Sequence, residues 1–149
     1  DGNTLATFSA RSNEVFSEES SYKMIDMMRA VITEGTGLRA RNYYRGDMAG
    51  KTGTTDNHSD AWFISYTPEL VTGCWVGGED RDIHFDSMQF GQGSRMALPI
   101  CGIYLQKVFG DARLGYSAES VFDIPEDFDP CGGTGMSGSV LESYSFDRF

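Results

Sequence analysis

Histidine is nearly absent from this chain of 149 residues, cysteine is sparse, and basic residues are outnumbered. Each scarcity excludes a class of function. The two histidines, His58 and His84, stand alone in polar stretches, and Cys74, Cys101 and Cys131 form no C-x-x-C pair. A zinc site needs ligands that converge at short spacings, so no metal is expected and no cofactor is implied. Asp80, Asp82 and Asp86 lack the spacing of a calcium-binding EF-hand loop. Twelve lysines and arginines face 22 aspartates and glutamates, a net charge of −10, with no basic cluster. Nucleic acid is therefore not an expected partner. No apolar run reaches the ~18 residues that a membrane span needs. There is no signal peptide and residue 1 is Asp, so the chain is expected to be processed or cut from a longer protein.

What is present reads as an ordinary globular composition, 40% hydrophobic and 23% charged, long enough to bury a core. A short strand is expected over residues 3–9. Ser17 suits a helix N-cap, with Glu18 and Glu19 in the first turn, where the helix dipole favours acid. Tyr22, Ile25, Met28 and Ile32 then recur at helical spacing, which predicts a helix from about 18 to 34, stopped by Gly35 as a C-cap. Strands are expected at about 46–55, 61–66 and 70–76, separated by the polar link 56–60 and the turn Thr67-Pro68-Glu69. The last two strands are apolar on both faces, which predicts layers above and below the sheet, and the short turns predict antiparallel pairing. Trp62 and Trp75 are read as core rather than as carbohydrate platforms. Cys74 and Cys101 sit in apolar settings, where a free cysteine acts as a small hydrophobe. A surface loop over 77–94 precedes a second helix running from near Leu98 to about Phe109, with Pro99 in its first turn. Residues 111–149 carry eight acids and two bases. The stretch 115–149 is read as a mostly disordered acidic, Gly-rich tail beyond a body of 1–114, so truncation after Arg113 is expected to leave the melting temperature unchanged.

The richest segment is Lys51-Thr52-Gly53-Thr54-Thr55. K-T-G is one of three motifs that build the acylation site of penicillin-binding proteins and serine β-lactamases; the others are S-x-x-K and S-x-N. On a strand, Lys51 and Gly53 share one face and Thr52 and Thr54 the other. Gly53 admits close approach of a ligand or backbone, an exposed edge can pair with an extended peptide, and threonine hydroxyls with a lysine charge suit a C-terminal carboxylate. The P-loop look-alike Gly46–Thr52 has three residues between its glycines where four are needed, and no apolar helix follows it.

Around this motif stand Gly50-Lys51-Thr52-Gly53-Thr54-Thr55, Asp60-Ala61-Trp62-Phe63, Tyr66–Thr72 and Trp75-Val76-Gly77, with Val31–Gly37 upstream and Gly93-Ser94 through Ala97–Ile100 downstream. In that order and spacing the chain, over about residues 1–110, closely resembles class A penicillin-binding proteins. The resemblance implies an α/β (α+β type) fold, an antiparallel sheet flanked by helices, forming the C-terminal part of a transpeptidase domain. It implies catalytic roles for Lys51, which would support the S-x-N serine of the proton relay, and for the Thr54 N–H, half of an oxyanion hole. It implies substrate binding by Thr52, Gly53, Thr54 and Thr55. Expected partners are peptidoglycan stem peptides and lipid-linked precursor, β-lactam inhibitors, and the remaining N-terminal part of the same polypeptide. The expected setting is the periplasmic face of the inner membrane, on a parent that also bears a glycosyltransferase domain.

The chain departs from that pattern in lacking S-x-N altogether. Ser20-Ser21-Tyr22-Lys23 matches S-x-x-K, but it falls in the first turn of a helix and only 28 residues before Lys51, so a nucleophilic Ser20 is rejected. The chain is thus expected to hold one wall of an active site. Two alternatives stand beside this reading. One is a serine β-lactamase or β-lactam sensor, against which the aromatic run Trp62–Trp75 argues. The other is a non-catalytic fragment that only binds stem peptide.

Overall fold

The computed structural model describes residues 13–126 together with Ala6, Ser9, Phe128 and Asp129. The strand expected over 3–9 lies outside the described residues apart from Ala6 and Ser9, as do Cys131 and residues 130–149.

Helix α1 spans Glu18–Thr33. Its start is as the sequence implies: the Ser17 side chain accepts the Ser20 N–H at 3.3 Å, and Glu18 and Glu19 occupy the first turn. Tyr22 and Ile32 are buried, while Ile25 and Met28 are half-buried. The end differs from expectation in its cause. Glu34 is the C-cap, and among the described residues only Gly115 is a glycine with positive φ. Gly35 is required for closeness instead: a Cβ there would lie 2.9 Å from the Val31 Cα, and one on Gly37 would lie 2.7 Å from the Ile32 Cδ1. The chain thus folds tightly back over the last turn of α1 before a 3-10 turn at Leu38–Asn42.

Three strands follow, β1 (Ala49–Thr54), β2 (Asp60–Tyr66) and β3 (Val71–Gly77), forming an antiparallel sheet in the order β1-β2-β3. The register places Lys51 opposite Ile64, Gly53 opposite Trp62, and Trp62 opposite Trp75. Beyond β3, a short helix α2 (Met88–Gly91) interrupts the polar loop, and helix α3 covers Ala97–Gly110. Pro99 falls in the first turn of α3, where its missing N–H has no partner to lose.

Helix α3 packs on one face of the sheet. Its Leu98, Cys101 and Leu105 form a single core with Phe63 of β2, Ile32 of α1, Met48 and Tyr44. The Cys101 thiol points at the Phe63 carbonyl oxygen 3.7 Å away, and burial pushes its pKa up to about 11. Cys74 and Cys101 are both free thiols. Cys101 behaves as a small buried hydrophobe with no thiolate at neutral pH.

The opposite face departs from the two-sided burial expected. Trp62, Ile64, Val71 and Trp75 alternate with the core residues and point away from α3, and Trp62 and Trp75 are 43% and 46% exposed. Their rings lie 6.3 Å apart as a cross-strand pair. Among the described residues α1 shields the β1 side of this face, through contacts such as the Tyr66 hydroxyl on the Met28 sulfur at 2.9 Å. Apolar side chains on both faces of β2 and β3 therefore do not make both tryptophans core residues.

The segment after α3 also corrects the sequence reading where it is described. Gly115, at φ 76°, turns the chain after the 3-10 turn Ala112–Leu114. The Ser117 N–H and the Ser120 hydroxyl then donate to the Glu69 carboxylate at 2.9 and 2.8 Å. These two bonds, the backbone one foremost, hold the Glu69 carboxyl below its ordinary pKa. The Phe122 N–H donates to Asp47 at 3.1 Å, whose other oxygen pairs with Arg29 of α1 at 2.9 Å. Phe122 meets the Tyr66 ring edge-on and Phe128 meets Tyr22. Residues 116–126 and Phe128 thus form a strap tying α1, the approach to β1 and the β2–β3 turn together, across the boundary expected at 114. The strap has no hydrophobic period because isolated aromatics and backbone N–H groups anchor it.

Candidate active site on an edge strand

Strand β1 is an edge of the described sheet, so half of its backbone polar groups have no ladder partner. Which half follows from the phase of the ladder. The Thr55 N–H donates to the Asp60 carbonyl at 3.1 Å, which makes Thr55–Asp60 a pair facing across the two chains. In antiparallel pairing such pairs alternate with outward-facing ones. Gly53–Trp62 and Lys51–Ile64 therefore share the inward phase, and Thr52 and Thr54 direct their N–H and C=O groups to the open edge. Two contacts agree with this phase. The Lys51 ammonium reaches the Thr52 carbonyl at 2.8 Å. A Cβ on Gly93 would crowd the Gly53 nitrogen, the Gly53 oxygen and the Trp62 oxygen together, as expected of a closely bonded pair.

Lys51 and Thr54 are exposed; Thr52 and Gly53 are half-buried. The Thr52 hydroxyl lies 2.7 Å from the hydroxyl of Thr36, in the turn after α1. The Thr54 hydroxyl accepts the Gly93 N–H at 3.1 Å, which joins the end of β1 to the approach to α3. Only glycine fits at 93, since a Cβ would collide with the ladder itself. A groove of about 270 Å³ borders the strand between α1 and the open sheet face, lined by Met28, Lys51, Gly53, Trp62 and Tyr66 among others.

Thr55, expected among the substrate-binding hydroxyls, is committed elsewhere. Its hydroxyl donates to the Asp60 carboxylate at 3.0 Å, lies 3.0 Å from the Ser59 hydroxyl, and accepts the Asp60 N–H at 2.9 Å. Asp60 also receives the Trp75 indole N–H at 2.8 Å, and that bond, followed by the one from Thr55, holds its carboxyl below the usual range. Thr55 closes the hairpin, while Thr52 and Thr54 turn their backbone groups to the open edge and Lys51 is exposed beside them. Directly after Thr55, Asn57 and His58 both adopt positive φ, a conformation uncommon for residues other than glycine.

Ser20 shows no nucleophile geometry. Its hydroxyl meets that of Ser17 at 3.1 Å, and Lys23 pairs with Glu19 at 2.8 Å. That pairing raises the Lys23 pKa, the opposite of what a general base needs. Among the described residues no three metal-binding side chains converge, and no helix is long and apolar enough to cross a membrane. Thr36 and Gly93, which motif reading does not single out, both contact the threonines of β1. The glycines flanking Thr36 were the available signal, since glycines forced by close approach mark a turn fixed in place.

An edge strand with outward amides, a lysine and two outward threonines is the kind of wall that acyl-transfer enzymes present to an extended peptide. Comparison with known proteins narrows this. Residues 8–73 match the model of the penicillin binding protein transpeptidase domain. Penicillin-binding protein 1A of Aquifex aeolicus is 44% identical over 95 residues, which cover 64% of this chain and 12% of that protein. Penicillin-binding protein 1A of Pseudomonas aeruginosa is 32% identical over 135 residues, covering 91% of this chain and 16% of that protein. The crystal structure of penicillin-binding protein 1A from Haemophilus influenzae superposes with a TM-score of 0.63 over 75% of this chain and 17% of its own, at 24% identity. The chain is similar to a segment of the penicillin-binding protein transpeptidase domain, and its helices and antiparallel sheet have the fold of that domain. It spans less than a fifth of the length of these relatives.

Proposed function

We propose that this chain supplies one wall of the acylation site of a peptidoglycan D,D-transpeptidase that cross-links stem peptides through a serine acyl-enzyme. The observation that carries the reading is the outward Thr54 N–H on the edge of β1, beside Lys51 and the Thr52 hydroxyl. A stem peptide ending in D-Ala-D-Ala lies along this edge as an added strand. The Thr52 and Thr54 hydroxyls and the Lys51 charge receive its terminal carboxylate. The Thr54 N–H polarises the scissile carbonyl as one of two oxyanion donors, a role worth ~2.7–4 kcal/mol in the transition state. A serine from elsewhere in the polypeptide attacks that carbonyl carbon. The C–O bond forms as the C–N bond breaks, D-Ala leaves with a proton on its amine, and the amine of a second stem displaces the serine. Lys51 supports proton transfer through the S-x-N serine. Thr55 holds the hairpin and stays out of the substrate's reach.

The class A relatives support a bifunctional parent that also polymerises lipid-linked precursor, anchored in the cell envelope with this domain on the periplasmic side. β-Lactams trap the same serine. The test is the second-order acylation rate of the complete protein by a fluorescent penicillin, with and without Lys51→Ala. A persistent adduct that forms much more slowly in the variant supports the transpeptidase reading. Rapid turnover of the adduct points to a β-lactamase, and an unchanged rate in the variant removes Lys51 from the site.

A further inference from the structure

We propose that Thr36 is a positioning residue of this site: its hydroxyl orients the hydroxyl of Thr52 so that the Thr52 proton is aimed at the substrate carboxylate. The inference rests on the reading of β1 as a carboxylate-binding wall and deepens it.

The two oxygens are 2.7 Å apart although the residues are 16 positions apart in sequence. That is the usual length of a good O–H···O bond. Each hydroxyl owns one proton, so one of the pair donates to the other and the second proton remains free. If Thr52 donated to Thr36, an incoming carboxylate would meet only lone pairs at Thr52. A carboxylate accepts and cannot donate, so it selects the opposite order, in which Thr36 donates to Thr52 and Thr52 donates to the ligand. In such a chain each bond polarises the next, which strengthens the terminal donor.

Thr36 is exposed, yet its footing is firm. The Gly37 N–H donates to the Val31 carbonyl at 2.9 Å, and the Leu38 N–H donates to the Gly35 carbonyl at 3.2 Å. Gly35 and Gly37 both press on the last turn of α1, with no room for a side chain. Ile32 beneath them is fully buried. The turn therefore presents one hydroxyl at a fixed place on the edge of β1, so little ordering remains to be done when substrate arrives. The Lys51 ammonium, on the Thr52 carbonyl, supplies the charge that draws the carboxylate to the same spot.

The experiment uses the complete protein and benzylpenicillin, with Thr36→Val, Thr36→Ser and Thr52→Val. Acylation is resolved into a capture constant and a rate of covalent bond formation, and melting temperature is recorded for each variant. Thr36→Val keeps the branched shape and loses the hydroxyl. It should weaken capture by about five- to tenfold, the worth of one hydrogen bond, and leave bond formation nearly unchanged. Thr36→Ser should restore capture. Benzylpenicillin methyl ester, which lacks the carboxylate, should react alike with wild type and Thr36→Val. Wild-type capture by Thr36→Val overturns the proposal. So does an equal slowing with acid and ester, or a failure of Thr36→Ser to rescue, since either marks a merely structural residue. Thr52→Val separates the layers of the argument. If it captures benzylpenicillin normally, the carboxylate wall itself is wrong. If it fails while Thr36→Val does not, only the role of Thr36 is wrong.

Discussion

Replacing Thr54 by proline removes the outward N–H from the site and leaves the sheet ladder intact. The Thr54 N–H points to the open edge, so proline there forfeits no inter-strand bond, and edge positions of this kind are where sheets tolerate it. Gly53 before it is already extended, as a residue preceding proline must be. The variant also loses the hydroxyl that accepts the Gly93 N–H at 3.1 Å, a bond worth roughly 1 kcal/mol. Thr54→Ala loses that hydroxyl and keeps the N–H, so it is the matching control. If the N–H is an oxyanion donor, Thr54→Pro should acylate about a hundred- to a thousandfold more slowly than Thr54→Ala, and both should be destabilised to a similar degree. Gly53→Pro supplies the converse. Its N–H faces into the ladder toward Trp62, so it should lose about 1–3 kcal/mol of stability through the unsatisfied Trp62 carbonyl. The assay is the second-order acylation rate of the complete protein, with circular dichroism and thermal melts on each variant. A folded Thr54→Pro that reacts as fast as Thr54→Ala would refute the outward-amide argument.

Other outcomes follow from the same geometry. Lys51→Ala should slow acylation by about ten- to a hundredfold, the worth of a charge-assisted hydrogen bond, as read by stopped-flow with a chromogenic cephalosporin. Truncation after Arg113 removes the strap and its two ring contacts, worth about 1–3 kcal/mol together, so the melting temperature should fall by ~4 °C or more. Asp60 has a depressed folded pKa, so its stabilising contribution is present above the ordinary carboxylate value near ~4 and is lost as pH falls through the folded value. The stability advantage of wild type over Asp60→Asn, measured by urea unfolding, should accordingly be full at pH 7 and vanish in strong acid. This chain by itself should gain no penicilloyl mass, because Ser20 faces Ser17 and its would-be base is held protonated by Glu19.

Much of the fold was legible in the sequence because local rules governed it. Ser17 and the spacing of Tyr22 and Ile32 marked α1, and the turn at Thr67 and the K-T-G motif marked the hairpins. The failures share one cause, which is that partners were chosen over long distances. Trp62 and Trp75 read as core because both faces of β2 and β3 are apolar, and composition does not say which face meets α3. The strap went unread because Phe122 and Phe128 bind as single anchors, without a repeat. In the site, Lys51, Gly53 and Thr54 are exposed or half-exposed on the edge, as a strand at that motif implies. Thr36 escaped notice because a contact between an exposed turn and a strand leaves no periodic trace. The bonding of Thr55 was not legible, because threonine reads alike whether its hydroxyl faces a ligand or, as here, the carboxylate of Asp60.

The most direct test of the edge strand as one wall of the acylation site is a crystal structure of the complete protein acylated by benzylpenicillin. The ester carbonyl oxygen should lie about 2.7–3.1 Å from the Thr54 nitrogen, with the thiazolidine carboxylate against the Thr52 and Thr54 hydroxyls. An adduct whose carbonyl oxygen sits beyond hydrogen-bonding reach of that nitrogen, with β1 left uncovered, would contradict the assignment.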